Sequence, residues 1–395
     1  MARDAARARV PSVLLVTGAY YPEISASGIQ CRMVARALSD RARFSVLTTA
    51  VDATLPTHDH VDGVSVHRVH VKRGRPQSDV AASLRMLSQI LASARSIDLV
   101  HLHSVSKKNV LVTVAAKALR KPLVVTLHTA GLDEPATLRR RGWLLHWAVR
   151  TADRVMTVSP QLTATARQEG VLASRVVEAP NGVDTARFRP ATAEERCALR
   201  RRLGLPEAGP IVLVVGFFSR DKRPGLAFDA FARAAASRPA LSLVYVGAIG
   251  AGYYEIDTSL ADGITSKARA SGLDARVHFA GPTNAIDDYY RASDVFLLPS
   301  AREACSMALL EAMACGLPAI ATRLPGATDV VIAHGSDGLL FHLDDAADLT
   351  AQLERVLSDG NLARQLGDRA RETAVRRFDI AARAARWLEV YSDVL

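Results

Sequence analysis

PSAREACSMALLEAMACG, residues 299–316, joins a predicted strand to a predicted helix. The apolar run Val295–Leu298 before it is typical of a buried strand, and Ser306–Ala314 has the composition of a helix. Glu303 lies in the connecting loop, and Glu311 lies inside the helix. This order predicts a ligand site in which two carboxylates flank a helix N-terminus.

The N-terminus of that helix is suited to an anion. The N–H groups of a first helical turn, here near Ser306, Met307 and Ala308, lack intrahelical acceptors, and the helix dipole adds positive potential. We expect a diphosphate there, with Glu303 and Glu311 accepting hydrogen bonds from sugar hydroxyls. Two glutamates at this spacing also occur on ordinary surface helices, so the pattern needs support from the rest of the chain.

The same alternation of strands and helices extends along the whole chain. Runs rich in Val, Leu and Ile predict strands in the first half at 12–17, 44–48, 64–69, 99–102, 123–127, 154–158 and 176–179. In the second half they lie at 211–215, 243–246, 277–279, 295–298 and 319–322. Helical patterns such as 29–39 and 110–119 separate them. The chain is therefore predicted as α/β, with two Rossmann-like, doubly wound parallel sheets.

A domain boundary is predicted where proline and glycine cluster. The segments RFRP at 187–190 and LPEAGP at 205–210 enclose a charged helical stretch. We therefore assign residues 1–190 to a first domain and start a second at 191. Because ligands of such sheets bind outside the carboxyl ends of the strands, two domains facing each other would form a site in the cleft between them.

Composition excludes several classes of protein. Apolar residues make up 49% of the 395 residues and charged residues 23%, which is a globular composition. No apolar run approaches the ~20 residues that span a bilayer. The four cysteines include no CxxC pair, which favours a reducing compartment over a disulfide scaffold. The arginine-rich residues 1–9 loosely resemble the start of a secretory signal, but 10–20 fit a strand better, so we expect a cytoplasmic protein.

Positive charge is concentrated in the first half. Residues 1–190 hold 27 Lys and Arg against 14 Asp and Glu, whereas residues 191–395 hold 23 against 26. This asymmetry indicates a polyanionic partner for the first half: a membrane surface, a nucleic acid or an anionic substrate. No nucleic-acid recognition motif is present, so we expect no nucleic-acid partner.

The sequence resembles the retaining family 4 glycosyltransferases (glycosyltransferase group 1), which have the GT-B fold. The glutamate pair followed by AMACGLP carries most of the resemblance. In the same order as in the family, APNGVD precedes the second domain, VG begins a phosphate-contacting loop, and YRASDVFLLPS leads to the first glutamate. These segments lie at 179–184, 215–216 and 290–300. Residues 378–391 resemble the terminal helix that returns to the first domain, so the second domain is placed at 191–375 and the returning helix at 376–395.

The resemblance implies a role for each matching residue. Glu311 would bind the ribose hydroxyls of the nucleotide, and Glu303 the donor sugar near the reaction centre. The backbone of Met307 and Ala308, beside Ser306, would hold the β-phosphate. Lys222 would stabilise the leaving diphosphate, because a fixed cation is most effective where negative charge develops. The loop Gly281-Pro282-Thr283 would surround the base.

One departure concerns the second cation of the phosphate loop. The family has an arginine directly after the loop glycine, where this chain has Phe217. Arg220 is a candidate replacement, because a guanidinium fork suits phosphate. In the first domain the family's paired glycines correspond to Ser27-Gly28, and Gly28 is expected near the donor phosphates. Residues 253–255, Tyr-Tyr-Glu, lie in a segment longer than the usual family loop.

Two histidines lie at predicted strand ends in the first domain. His128 resembles the family histidine near the donor sugar and the acceptor, and His103 is its expected neighbour on the acceptor side. A histidine at such a position is also often purely structural. The carboxyl edge of a doubly wound sheet favours the catalytic interpretation.

The expected chemistry is retaining transfer without a metal or other cofactor. No Asp-x-Asp motif occurs, so we expect Lys222, Arg220 and the helix N-terminus to neutralise the diphosphate. Retention of configuration is implied only by the resemblance. We expect a UDP-sugar donor first and a GDP-sugar second, with a saccharide or lipid-linked acceptor in glycan or glycolipid biosynthesis.

Basic segments predict a membrane contact. TLRRRGWLLHWAVR at 137–150 combines arginines with Trp143 and Trp147, and 107–121 is apolar with cationic ends. Such segments suit the inner face of an anionic membrane, although the tryptophans could equally face the core. Two alternative functions stay open: a nucleotide-sugar 2-epimerase of the same architecture, and a non-catalytic nucleotide-binding scaffold.

Overall fold

The protein consists of two compact units. The computed structural model describes residues 10–72, 74–250 and 256–395. Residues up to Gly182 together with Ile380–Leu395 form the first unit, and Val183–Asp379 form the second. The divisions therefore lie a few residues away from the expected 190 and 376. The reason is that the Val183 N–H donates to the Phe378 carbonyl oxygen at 2.8 Å, which ties both positions to the second unit.

The first unit is an eight-stranded sheet with helices between its strands. The strands are β1 Ser12–Thr17, β2 Arg43–Ala50, β3 His58–Val61, β4 Val64–His70, β5 Leu99–His103, β6 Leu123–Leu127, β7 Arg154–Thr157 and β8 Val176–Glu178. Their spatial order is β3-β4-β2-β1-β5-β6-β7-β8. The helices are α1 Ala26–Ala37, α2 Pro76–Ser93, α3 Val110–Ala118, α4 Pro135–Arg141, α5 Trp143–Thr151 and α6 Pro160–Gln168, with a 3₁₀ turn at Ala173–Arg175.

The second unit is a six-stranded sheet of the same kind. Its strands are β9 Ile211–Val215, β10 Ser242–Val246, β11 Val277–Phe279, β12 Val295–Leu298, β13 Ala319–Thr322 and β14 Leu339–Phe341, in the order β11-β10-β9-β12-β13-β14. Its helices are α7 Ala193–Leu203, α8 Pro224–Ala235, α9 Ser259–Ala270, α10 Ile286–Ala292, α11 Met307–Ala314, α12 Thr328–Val331, α13 Ala346–Ser358 and α14 Gly360–Phe378. Short 3₁₀ turns lie at Arg220–Lys222 and Asp274–Arg276.

Both sheets have the predicted parallel core, with one antiparallel exception. The central strands are buried on both faces, as expected for parallel strands covered by helices. At the edge of the first sheet, β3 pairs antiparallel with β4. Asp62 and Gly63 join these two strands, and their φ values of 51° and 79° fit the Asp-Gly hairpin turn. The predicted parallel sheet is therefore confirmed, and β3, which was not predicted, adds one antiparallel strand at its edge.

The terminal helix α15, Ile380–Ser392, completes the first unit. It begins two residues later than the predicted 378, because Phe378 still ends α14 and Asp379 is extended between the two helices. Ala384, Trp387 and Tyr391 of α15 are buried in a core that also contains Cys31 of α1. The second unit has its own core of aliphatic and aromatic side chains. Within the described residues, no helix has the length and hydropathy required to cross a membrane.

Candidate active site

In the second unit, two glycines allow neighbouring strand ends to approach closely. A Cβ atom on Gly247, which follows β10, would lie 2.1 Å from the carbonyl oxygen of Gly216, which follows β9. Gly247 also has a φ of +147°. Only glycine fits this contact, and it fixes the start of the loop that leads to Lys222.

Lys222 and Glu303 form an ion pair. The Lys222 Nζ lies 2.7 Å from Glu303 Oε1. The Glu303 side chain is only 9% exposed, and that of Lys222 is 26% exposed. The pair brings together the loop after β9 and the loop after β12, although the two residues are far apart in sequence. A cation and a carboxylate that both keep some access to solvent can exchange this contact for contacts with a ligand.

A second ion pair reinforces the same two loops. The Arg302 guanidinium contacts Asp221 Oδ2 at 2.6 and 2.9 Å through two nitrogens. The Ala301 N–H also donates to the Asp221 carbonyl oxygen at 2.7 Å. These contacts come from the residues immediately before Lys222 and Glu303, so they hold the backbone on both sides of that pair. Asp221 and Arg302 were not predicted from the sequence, because their pairing depends on the contact between the two loops.

Glu311 is a buried carboxyl inside α11. The Tyr290 hydroxyl lies 2.9 Å from Glu311 Oε2 and 3.1 Å from the Ala308 carbonyl oxygen. Burial raises the pKa of Glu311 to about 7, although the hydrogen bond from Tyr290 acts in the opposite direction. The nearby Arg187 guanidinium is engaged by Asp287 at 2.6 Å and lowers this pKa less strongly. Glu311 is therefore a strong hydrogen-bond acceptor that ionises near neutral pH.

The start of α11 differs by one residue from the prediction. Ser306 is the N-cap rather than the first helical residue, and its side chain accepts a hydrogen bond from Leu309 N at 3.4 Å. Met307 and Ala308 form the beginning of the helix, about one turn before Glu311. The predicted phosphate-binding residues thus lie between the two glutamates, in one small region of the second unit.

Arg220 and Phe217 differ in their surroundings. The Arg220 side chain is 87% exposed, and its Nε lies 3.0 Å from Asp257 Oδ2. Phe217 lies beside the lysine, with Lys222 Nζ 5.9 Å from the centre of its ring. The structure therefore places Arg220 at the surface in an ion pair, whereas Arg302 is the half-buried arginine next to Glu303.

The predicted base loop follows β11. The Gly281 carbonyl oxygen accepts a hydrogen bond from Gly247 N at 3.0 Å, so this loop lies against the glycine contact described above. Gly281 has a φ of +66°, and the Thr283 Oγ1 accepts from Ala285 N at 3.0 Å. Pro282 lies between them. The notable Tyr-Tyr-Glu at 253–255 lies outside the described residues.

In the first unit, Gly28 lies near the N-terminus of α1. A Cβ atom there would lie 2.4 Å from the Ala19 carbonyl oxygen and 2.9 Å from Ser25 Oγ. Packing of the helix against its own preceding loop therefore requires glycine at this position. That requirement accounts for Gly28 without reference to a ligand.

His103 and His128 meet at the carboxyl ends of β5 and β6. His103 Nδ1 lies 2.9 Å from His128 Nε2. Burial lowers the pKa of His128 to about 4, and burial with the neighbouring histidines lowers the pKa of His103 well below its usual range. Both rings are therefore neutral at physiological pH. The neighbouring His101 is bonded through both nitrogens, to Tyr391 at 2.8 Å and to Thr126 at 2.7 Å.

Asp133 fixes the backbone around this histidine pair. One of its oxygens, Oδ2, accepts from the N–H groups of His128 and Thr129 at 2.9 and 2.8 Å, and from Ser104 Oγ at 2.7 Å. The carboxyl is buried, which raises its pKa, while these hydrogen bonds lower it. Asp133 was not predicted. Its only signal in the sequence is an acidic residue shortly after a strand-terminal histidine.

Each unit thus contains part of the predicted set of site residues. Lys222, Glu303 and Glu311 are grouped around the start of α11, and His103 and His128 are in contact. Across residues 10–72, 74–250 and 256–395, no three His, Cys, Asp or Glu side chains are grouped so that they could hold a metal ion.

Comparison with known families identifies the chain. A family model described as "Glycosyl transferases group 1" matches residues 195–373, and one described as "Glycosyl transferase 4-like domain" matches residues 25–182. The D-inositol 3-phosphate glycosyltransferase of Nocardiopsis dassonvillei is 30% identical over 354 residues, covering 82% of this chain and 80% of the relative. The N-acetyl-alpha-D-glucosaminyl L-malate synthase of Bacillus anthracis is 25% identical over 382 residues, covering 95% and 96%.

Solved structures agree on the fold. HepE of Anabaena, in a crystal structure with UDP and glucose, superposes with a TM-score of 0.79 at 21% identity, over 96% of this chain and 99% of that one. The sucrose-phosphate synthase of Thermosynechococcus elongatus superposes with a TM-score of 0.79 at 23% identity, over 97% and 98%. The chain belongs to the group 1 glycosyltransferases, enzymes whose two parallel-sheet α/β domains define the GT-B fold.

Proposed function

We propose that the enzyme transfers a sugar from a nucleoside diphosphate to a hydroxyl acceptor, with retention and without a metal ion. The observation that carries the proposal is the 2.7 Å pair of Lys222 and Glu303 beside α11. In this proposal the N-terminus of α11 binds the β-phosphate, and Lys222 balances the charge that develops on the leaving diphosphate. Glu303 then contacts the donor sugar, and Glu311 accepts from the ribose hydroxyls. For His128 we propose a hydrogen bond to a sugar hydroxyl.

A UDP-sugar is the preferred donor in this proposal, and a GDP-sugar is second. HepE has been crystallised with UDP and with UDP-glucose, which supports the preference for uracil. Transfer without a metal is supported by the position of Lys222 beside Glu303, where its side chain would supply positive charge to the leaving diphosphate.

The acceptor is proposed to be a hydroxyl compound that carries negative charge. The two relatives above are named for L-malate and for inositol 3-phosphate, and both of these acceptors are anionic. A saccharide or a lipid-linked saccharide with a phosphate group would share this charge. The concentration of Lys and Arg in residues 1–190 would attract any of them.

Transfer can be tested with a product assay in EDTA. UDP- and GDP-sugars would be incubated with malate, inositol 3-phosphate and a lipid-linked saccharide, and the product anomer read by NMR. Glycoside formation with retained configuration supports the proposal, whereas an epimerised donor without glycoside would favour the 2-epimerase. Lys222→Ala should lower kcat by about two to three orders of magnitude. Lys267→Ala, which removes a more exposed lysine paired with Asp229 in the same unit, should leave it unchanged.

We also propose that the enzyme binds the inner face of an anionic membrane. Trp143 is 72% exposed, and the three exposed arginines at 139–141 are separated from it only by Gly142. Trp147, in contrast, is partly buried in the same helix. An exposed tryptophan beside arginines suits the interface of an anionic bilayer. Sedimentation with phosphatidylglycerol vesicles should recover the protein, and Trp143→Ala should reduce the bound fraction; equal binding to neutral vesicles would contradict the proposal.

A further inference from the structure

The contact between His103 and His128 couples the protonation of the two rings. Because both rings are neutral, each carries one proton, and a single N–H lies between His103 Nδ1 and His128 Nε2. If His103 donates, His128 must carry its own proton on Nδ1. If His128 donates, His103 must carry its own proton on Nε2. The tautomer of one ring therefore fixes the tautomer of the other.

The two remaining nitrogens decide between these arrangements. His103 Nε2 and His128 Nδ1 are both buried, and neither has a hydrogen-bond partner among the described residues. One of them must therefore be an unpaired donor in this ligand-free chain. Burying an N–H without an acceptor costs free energy. This cost is smaller where a ligand or solvent can reach the N–H.

The surroundings of the two rings differ. His103 is 1% exposed, and its ring is stacked on Trp387 with centroids 5.1 Å apart and lies 4.2 Å from the His101 ring. Both His101 nitrogens already have partners, so His101 offers no acceptor. His128 is only partly buried and lies directly after β6, at the carboxyl edge of the sheet. Both nitrogens are buried, but only His128 is partly exposed as a residue, so an incoming acceptor is nearer to an unpaired N–H on His128 than to one on His103.

We propose that His103 is a positioning residue, which donates from Nδ1 to His128 Nε2 and holds His128 as the tautomer with its proton on Nδ1. His128 then acts toward a ligand as a hydrogen-bond donor to a hydroxyl or phosphate oxygen, and its Nδ1 does not serve as a base. Asp133 supports this function, because it accepts from the backbone N–H of His128 and from the side-chain hydroxyl of Ser104, the residue after His103. The consequence for catalysis rests on the proposed function, but the tautomer itself does not.

The tautomer can be measured on the whole, ligand-free protein. Long-range ¹H–¹⁵N spectra of the histidine-labelled chain distinguish a protonated Nδ1 from a protonated Nε2, and the signals of His128 are those lost in His128→Gln. We expect His128 protonated on Nδ1. A His128 protonated on Nε2 in the unsubstituted protein would overturn the proposal without any variant.

Two substitutions of His103 separate hydrogen bonding from packing. His103→Phe keeps a ring against Trp387 but cannot donate, whereas the amide of His103→Asn can donate from near the position of Nδ1. We expect His128 to lose its single tautomer in the Phe variant and to regain it in the Asn variant. Tyr391→Phe, which disturbs only the neighbouring His101, is the matched control and should leave the His128 signals in place.

Kinetics then test the consequence for transfer. His103→Phe should lower kcat by about 10- to 100-fold, the range found where a group that orients a metal-bound histidine is removed, with UDP affinity nearly unchanged. His103→Asn should restore most of the activity. An unchanged kcat in the Phe variant would overturn the catalytic part. If the unsubstituted protein transferred no sugar at all, the proposed function would fail, while the NMR result would still decide the tautomer.

Discussion

Glu311 combines two properties that usually oppose each other. It is buried, which disfavours the charged form, and it is the residue proposed to accept hydrogen bonds from ribose. With a pKa of about 7 it is mostly protonated in slightly acidic solution and mostly ionised in slightly basic solution. Because the ionised form is the better acceptor, binding of the nucleotide and stability of the fold should depend on pH in opposite directions.

The effect on stability has a definite sign. The pKa of Glu311 in the fold lies above the unfolded value of 4.5, so the associated stability is fully present below pH 4.5 and is lost as the pH rises through about 7. The side chain of Glu311→Gln cannot ionise, so the variant avoids this loss of stability at high pH. Its amide oxygen still accepts a hydrogen bond from Tyr290. We expect the variant to be about 1–3 kcal/mol more stable than the parent at pH 8, with little difference at pH 5. Urea unfolding at the two pH values measures this. Equal differences at both would contradict the shifted pKa.

Among the side chains of the candidate site, Lys222, Glu303 and Glu311 were predicted from the sequence, but the residues that hold them in place were not. Two glutamates at a fixed spacing and a lysine in a phosphate loop form a pattern that can be recognised in the sequence. No such pattern marks Asp221, Arg302 and Asp133, because their function arises from contacts between loops that are distant in the chain. The departure at Phe217 was visible, but the arginine beside Glu303 could be found only from the fold.

At the scale of loops and strands, the pair of Asp221 and Arg302 should act through Lys222 and Glu303. Asp221→Ala and Arg302→Ala should each lower kcat several-fold, and the double variant should be little worse than either one. Arg223→Ala is the matched control, since Arg223 forms an exposed pair with Asp344 near the same turn. Purely additive losses in the double-mutant cycle would show that the pair does not act as a unit.

The glycine contact between β9 and β10 gives a second prediction at this scale. Gly247→Ala would place a methyl group 2.1 Å from the Gly216 carbonyl oxygen, at a φ that alanine rarely adopts. We expect a loss of at least about 2 kcal/mol of unfolding free energy. Gly225→Ala, in helix α8 with open space around it, should be neutral or stabilise by up to about 1 kcal/mol. Thermal unfolding of both variants measures this, and a Gly247→Ala protein as stable as the parent would contradict the close contact.

Strands were predicted well wherever apolar residues ran without interruption. Six of the predicted strands, including Ile211–Val215 and Leu123–Leu127, match the structure to the residue at both ends. The strand His58–Val61 was missed because its sequence HDHV is polar and lies at a sheet edge. The three-residue strand Leu339–Phe341 was also missed.

At the scale of the whole molecule, the terminal helix connects the end of the chain to the histidine pair. Trp387 stacks on His103, and Tyr391 bonds to His101, although nearly three hundred residues separate these partners in sequence. The resemblance to a family predicted a helix that returns to the first unit. It did not predict that this helix covers the histidines, because such a contact depends on the packing of α15 against the sheet.

The second unit is proposed to bind a nucleoside diphosphate through Glu311 without a metal. Calorimetric titration of UDP, GDP, ADP and dTDP, first in EDTA and then in magnesium, measures this binding. We predict that UDP binds equally well in both buffers, and that Glu311→Ala weakens this binding at least about tenfold through loss of a charged acceptor. Glu354→Gln, a surface carboxylate paired with Arg238, should bind like the parent. Binding that requires magnesium, or that persists unchanged in Glu311→Ala, would contradict the account.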